Sequence, residues 1–143
     1  MSLRLVGGEM LAFSDLDGAH GAGPARGAAL AALVRRLATG RTLVAGPHDP
    51  ALFDGRPDLA FLVRGAPDAE ALDARFPDAT VYCGALEKLA PEPPYDTVVA
   101  LDGLGRLASV EGTELDWAAS LHPLRSWLRP GGRLLLGDRK SVV

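Results

Sequence analysis

Side chains able to do chemistry gather in four places of this sequence. Two carboxylates one residue apart, Asp15 and Asp17, follow an apolar run in MLAFSDLDG, residues 10–18. Two carboxylates so placed are candidates for nucleophilic and acid/base chemistry. The second place is residues 95–107, YDTVVALDGLGRL, where an unbroken apolar run ends in Asp102 and Gly103. Continuous Val and Leu suits a strand covered on both faces. A polar residue and a Gly at its C-terminal end fall where open α/β sheets hold their ligands. Third, GAHGAG at 18–23 precedes a helical stretch and offers bare backbone to a phosphate. Its spacing departs from the dinucleotide fingerprint, and it lacks the Lys-Ser/Thr of a P-loop. Fourth, His48 with Asp49, and separately His122, are candidate general bases. Each has a plain alternative: a polar loop, a linker, or a packing residue.

The elements that position these groups follow from periodicity and punctuation. Residues 3–13 hold two short apolar pieces around Gly7 and Gly8, a strand or a hairpin. After the Gly/Asp-rich loop at 14–23, Pro24 suits a first helical turn. Residues 25–39 predict a helix with Leu30, Leu33, Val34 and Leu37 on one face, Arg35 and Arg36 near its end and Gly40 as its stop. Strands are predicted at 41–45, 59–63, 79–83, 97–101 and 133–136. A stunted helix is expected at 51–53, a helix at 67–76 and one helical turn at 86–89. A helix at 114–128 should kink or break near His122, because Pro123 lies inside it. Arg129-Pro130-Gly131-Gly132 is read as its end. Trp117 and Trp127 are read as core or rim packing. Alternating strands and helices predict a doubly wound parallel sheet.

Bulk properties narrow the classes. A chain of 143 residues, 48% hydrophobic and 23% charged, is one domain with a real core. A net charge of −3 gives no basic footprint for nucleic acid. No apolar run reaches membrane length and no secretion signal opens the chain, so the expectation is a cytoplasmic protein with neither nucleic-acid nor membrane partners. The lone Cys83, in the strand-like TVYCGA, excludes an internal disulfide and is read as a buried thiol. His20, His48 and His122 are scattered without metal-ligand spacing, so no metal site is expected.

The element order, with YDTVVALDGLGRL and a helix ending LRPGGRLLLGD, resembles the class I S-adenosylmethionine-dependent methyltransferases over residues 24–138. The LRPGGRLLLGD segment is the most specific match. The resemblance implies a Rossmann-like α/β sheet of about five mostly parallel strands in the order 3-2-1-4-5, with helices on both faces. It also implies a division into an N-terminal segment, 1–23, and the Rossmann domain, 24–143. The cofactor would lie along Ala45, Gly46, Pro47, Arg64, Ala85, Leu86, Leu101 and Asp102. Asp102 is the best single candidate for contacting substrate or cofactor. Methyl transfer is an in-line displacement that needs mainly positioning, so no catalytic residue is named.

The sequence departs from the family pattern where the cofactor would bind. The acidic position of the first strand is Val44. In LVAGPHDP only Gly46 survives of the glycine turn, and the next two glycine positions hold His48 and Pro50. The acid that should accept the ribose hydroxyls at the end of the second strand is Arg64, which has no acceptor. The Asp expected after the third strand is Ala85. Asp49 and Glu87 are the residues placed to compensate. The family's further helix and β-hairpin are missing after 133–136. The chain thus reads as truncated, or as a homodimer joined through its last strand. Three functions are carried forward. The first is methyl transfer from S-adenosylmethionine to a small molecule. The second is a non-catalytic fold of that kind used for association. The third is a phosphatase of the haloacid-dehalogenase type, which the Asp-x-Asp-Gly of residues 15–18 resembles; that resemblance implies Asp15 as nucleophile on phosphorus and Asp17 as general acid/base, with Mg²⁺ between them.

Overall fold

A computed structural model describes residues 2–7, 14–16, 25–85, 94–101 and 117–137, with backbone only for Ser2 and residues 117–120. Among the described residues, six strands form one sheet: β1 (Ser2–Gly7), β2 (Thr42–Ala45), β3 (Leu59–Val63), β4 (Thr80–Gly84), β5 (Tyr95–Ala100) and β6 (Leu128–Leu136). Their order is β1-β4-β3-β2-β5-β6, and every pairing is parallel. Strands β4-β3-β2-β5-β6 reproduce the expected 3-2-1-4-5. The sixth strand is β1, which pairs with β4 and covers the first part of the N-terminal strand-or-hairpin expectation; residues 8–13 of that stretch lie outside the described residues.

The central strands β2 and β3 are buried at every residue. That burial explains why their sequences lack polar alternation. Successive side chains sort to opposite faces of the sheet. Val44, Phe61, Val63 and Val99 join one core cluster; Leu43, Ala45, Leu62 and Val98 join the other. Helices α1 (Ala28–Leu37) and α2 (Ala66–Arg75) cover the first face through Val34, Ala69 and Leu72. Helix α3 (Trp117–Ser126) covers the second face through Leu124, with Trp127 beside it. Cys83 is fully buried in the first cluster, and Trp127 packs in the second.

Three elements differ from their sequence-based expectation. Helix α1 begins at Ala28, because the backbone of Ala25 is already used: its N–H donates to Pro47 O at 3.0 Å, and its carbonyl accepts from Asp49 N at 2.8 Å. Helix α3 runs through Pro123 without breaking there. It stops at Ser126, so Arg129 to Gly132 do not end a helix. They lie within β6, where the register jumps from Tyr95↔Leu128 to Thr97↔Arg133. An edge strand tolerates this, since a bulge accommodates both a proline without an N–H and the extra residues. The stunted helix is a 3-10 turn, Pro50–Phe53, capped by the Asp49 carboxylate, which accepts from Ala51 N at 3.0 Å.

Candidate functional site

The strand order reverses between β2 and β5, and crevices at such reversals hold ligands in open α/β sheets. Ala45, Gly46 and Pro47 leave the C-terminal end of β2, and Leu101 leaves β5 beside them. Arg64 ends β3, and Ala85 follows β4. These six residues therefore share one edge of the sheet. Leu86 and Asp102 lie outside the described residues, as do Asp17, Glu87 and the 18–23 glycine stretch.

At the reversal, His48 fills the space. Its side chain is buried, its Nε2 accepts from Leu101 N at 2.9 Å, and its Nδ1 lies 3.1 Å from Gly46 O. A backbone N–H can only donate, so Nε2 carries the lone pair and Nδ1 carries the proton. The imidazole is thus a neutral clamp between the ends of β2 and β5. Its basic nitrogen is already engaged, which argues against the general-base role considered for it. Phe53 packs edge-on to the ring at 5.9 Å. Gly46 adopts φ 93°, and its N–H donates to Leu62 O at 2.8 Å. The turn therefore keeps its one needed glycine, while His48 occupies the position where bare backbone was expected. Val44, where the resemblance places an acid, is buried in the core.

At the end of β3, Arg64 meets a partner from far away in the sequence. Its Nε and Nη2 bind the two carboxylate oxygens of Asp15 at 2.8 and 3.0 Å, a fork-to-fork pair with both side chains largely buried. Asp68, in the first turn of α2, grips the same segment. Its Oδ1 accepts from the Ser14 hydroxyl, and its Oδ2 accepts from Asp15 N at 2.8 Å and Leu16 N at 3.3 Å. Leu16 packs on the first core cluster. Burial pushes the Asp68 carboxyl above its ordinary value. The hydrogen bonds from Ser14, Asp15 and Leu16 pull it back, and the neighbouring Asp15 charge adds to the rise.

Sequence reasoning singled out Asp15 for phosphoryl chemistry and Arg64 as a lost acid, and the structure joins the two. With both oxygens held by a guanidinium, the Asp15 carboxylate is poorly placed to attack phosphorus. Ser14 and Asp68 were missed. The sole signal for Asp68 is an acid in the first turn of a helix, which the helix dipole alone explains. Nothing in the sequence ties it to residues more than fifty positions earlier. Ala85 spends its N–H on Gly7 O at 2.9 Å, and a Cβ on Gly84 would collide with Gly7 and Val6. Asp49 is spent on its cap.

No protein-family model matches the chain, and no curated protein matches it in sequence. Solved structures do match in shape. Coclaurine N-methyltransferase bound to N-methylheliamine and SAH superposes with a TM-score of 0.55 at 10% identity, over 75% of this chain and 34% of that one. Streptomyces venezuelae DesVI gives 0.54 at 19% identity, over 80% and 51%. A SAM-dependent methyltransferase from Geobacter sulfurreducens in complex with S-adenosyl-L-homocysteine gives 0.54 at 13%, over 86% and 54%. This is the S-adenosylmethionine-dependent methyltransferase fold. The chain spans between a third and just over half the length of these neighbours. Among the described residues, no helix is long and apolar enough to cross a membrane.

Proposed function

We propose that the chain is a class I methyltransferase-related domain whose S-adenosylmethionine edge is formed by Ala45, Gly46, Pro47, Arg64, Ala85 and Leu101, with Leu86 and Asp102 completing it, and whose methyl acceptor is a small molecule. The observation that carries this reading is the placement of the Gly46 turn at the reversal of a sheet with the methyltransferase fold. In the conformation described, the edge does not fit the cofactor. His48 fills the turn, and Arg64 with Asp15 stands where the ribose acceptor belongs. The reading therefore requires part of the edge to yield. Calorimetric titration with S-adenosylmethionine and S-adenosylhomocysteine tests it. Micromolar binding that weakens at least about tenfold in Gly46→Val is expected, because a β-branched residue resists φ 93° and fills the approach. An absence of heat at millimolar ligand would refute it.

A second reading is favoured by the same filled edge: a non-catalytic fold of this kind, used for association. It places the contact on β6, the last strand in the sheet order, whose residues are mostly exposed or half-buried. A homodimer through β6 is its concrete form.

A further inference from the structure

Two neighbouring strands of the sheet are entered by the same short pattern. Arg56-Pro57-Asp58 leads into β3, and Arg75-Phe76-Pro77-Asp78 leads into β4. Counting back from the parallel pair Ala60↔Thr80 sets Asp58 beside Asp78. A cleft of about 380 Å³ opens there, lined by Arg56, Asp58, Arg75 and Asp78 and by an apolar wall that includes Phe76 and the two prolines. A side compartment of about 150 Å³ adjoins it along Asp58, Leu59 and Asp78 and reaches Arg41. The cleft lies at the N-terminal ends of β3 and β4, opposite the edge that carries Gly46 and Arg64, so nothing in it depends on a cofactor.

The lining carries charges that the protein leaves uncompensated. Among the described residues, neither Asp58 nor Asp78 meets a cation within ion-pair distance. Like charges side by side on adjacent strands destabilise a sheet. Arg75 is spent on Asp54, whose two carboxylate oxygens it binds. Arg56 has no such anion: its Nη2 donates to Ala38 O, and its buried Nε has no partner among the described residues. Asp58 is also the one non-glycine among the described residues with a positive φ, 54°. Backbone held in this region clusters at sites that clamp ligands. Pro57 and Pro77 fix the chain just ahead of both carboxylates, so the walls are stiff before anything binds.

We propose that this cleft binds a small zwitterion of the amino-acid class with an apolar side chain. The Asp58 and Asp78 carboxylates receive its ammonium, the Arg56 guanidinium receives its carboxylate, and its side chain lies on Phe76, Pro57 and Pro77. Binding relieves the repulsion between the two aspartates and gives Arg56 an anion. The volume suits so small a ligand, since small-molecule pockets start near about 300 Å³. A lining of one sign would select a simple cation or anion; both signs in one cleft select a ligand that carries both.

The test titrates the full chain with L-leucine and follows the backbone amides by NMR. Leucinamide, which lacks the carboxylate, and isocaproate, which lacks the ammonium, are the controls. Saturable shifts at Asp58, Leu59, Asp78 and Ala79 are expected, with a Kd on the order of 1 mM. Each control should bind at least about tenfold more weakly than leucine, because it loses charge-assisted hydrogen bonds. The double variant Asp58→Asn, Asp78→Asn should weaken leucine by a similar factor. Asn tolerates the left-handed conformation at position 58, and circular dichroism checks the fold. Arg56→Gln should weaken leucine while leaving the affinity for leucinamide unchanged. The proposal is overturned by an absence of saturable shifts at about 50 mM leucine. Shifts confined to other residues would also overturn it, as would equal affinities for leucine and its two analogues or for wild type and the double variant.

Discussion

Asp68 is the residue whose ionisation the fold disfavours most plainly. Burial raises its pKa above the ordinary 3.8, so the folded state binds its proton more tightly than the unfolded chain does. The stability contributed by that group is fully present below about 3.8 and is lost as pH rises through the raised folded value. Asp54, beside Arg75, and Asp96, beside Arg41 and Arg129, are lowered instead. Their contributions hold above the ordinary value and are lost as pH falls through the lowered ones. Wild type should therefore gain stability relative to Asp68→Asn as pH falls from 7 toward 3.8, even while both proteins weaken in acid. Urea unfolding of the two proteins at matched pH values measures the difference. A difference independent of pH would show that Asp68 titrates in the folded protein as it does in the unfolded chain.

Elements here are joined by side chains as well as by strand pairing. His48 is the clearest case, because its ring ties the end of β2 to the end of β5. His48→Ala would leave Leu101 N without this acceptor and open a void beside Phe53. The expected cost is about 2–4 kcal/mol, combining a buried unmet donor with lost packing. Urea unfolding reads it directly, and a change under about 0.5 kcal/mol would mean that the clamp contributes nothing to holding the strands. Asp96 plays a related part at the opposite end of the sheet, accepting from Arg41 N at 2.7 Å and binding Arg129. Gly40, at φ 65°, lies against that carboxylate, where a Cβ would collide with it. The glycine that the sequence marks as a helix stop is thus also required by a contact between β2 and β5. Pro-Gly-Gly shows the reverse: read as the end of a helix, it forms the bulge of an edge strand.

At the scale of the whole molecule, the sheet formed by the described residues ends in two edges of different kinds. Strand β1 closes one side against β4 and presents Leu5, 64% exposed; β6 ends the other and presents Leu136, 37% exposed. If β6 joins two copies, sedimentation velocity should show a dimer growing with concentration over the micromolar range, and Leu136→Lys should suppress it by placing charges on the paired edge. A monomer at all concentrations would dismiss that contact. Charge does not oppose such pairing strongly, since a net charge of −3 is small for a chain of 143 residues.

The order of five strands came with the family resemblance, whereas the sequence alone made legible the layered α/β architecture, α2 to within a residue, and the buried state of Cys83 and Trp127. These follow from local rules: unbroken apolar runs become central strands, and helical periodicity selects one face. It also marked Gly46, Arg64 and Asp15 as residues needing an explanation. What they do follows from contacts that exist only once the chain is folded. The Arg64–Asp15 pair spans 49 positions and the Asp68 contacts span up to 54, and no local pattern encodes a partner at that distance. The imidazole of His48 became a backbone clamp because β2 and β5 are neighbours, which is a property of the sheet order. The start of α1 moved because Ala25 found Pro47 and Asp49 before it could begin a helix. Local propensity sets which elements form. Where their ends meet, polar groups must find partners across the chain, and there the fold chooses among them.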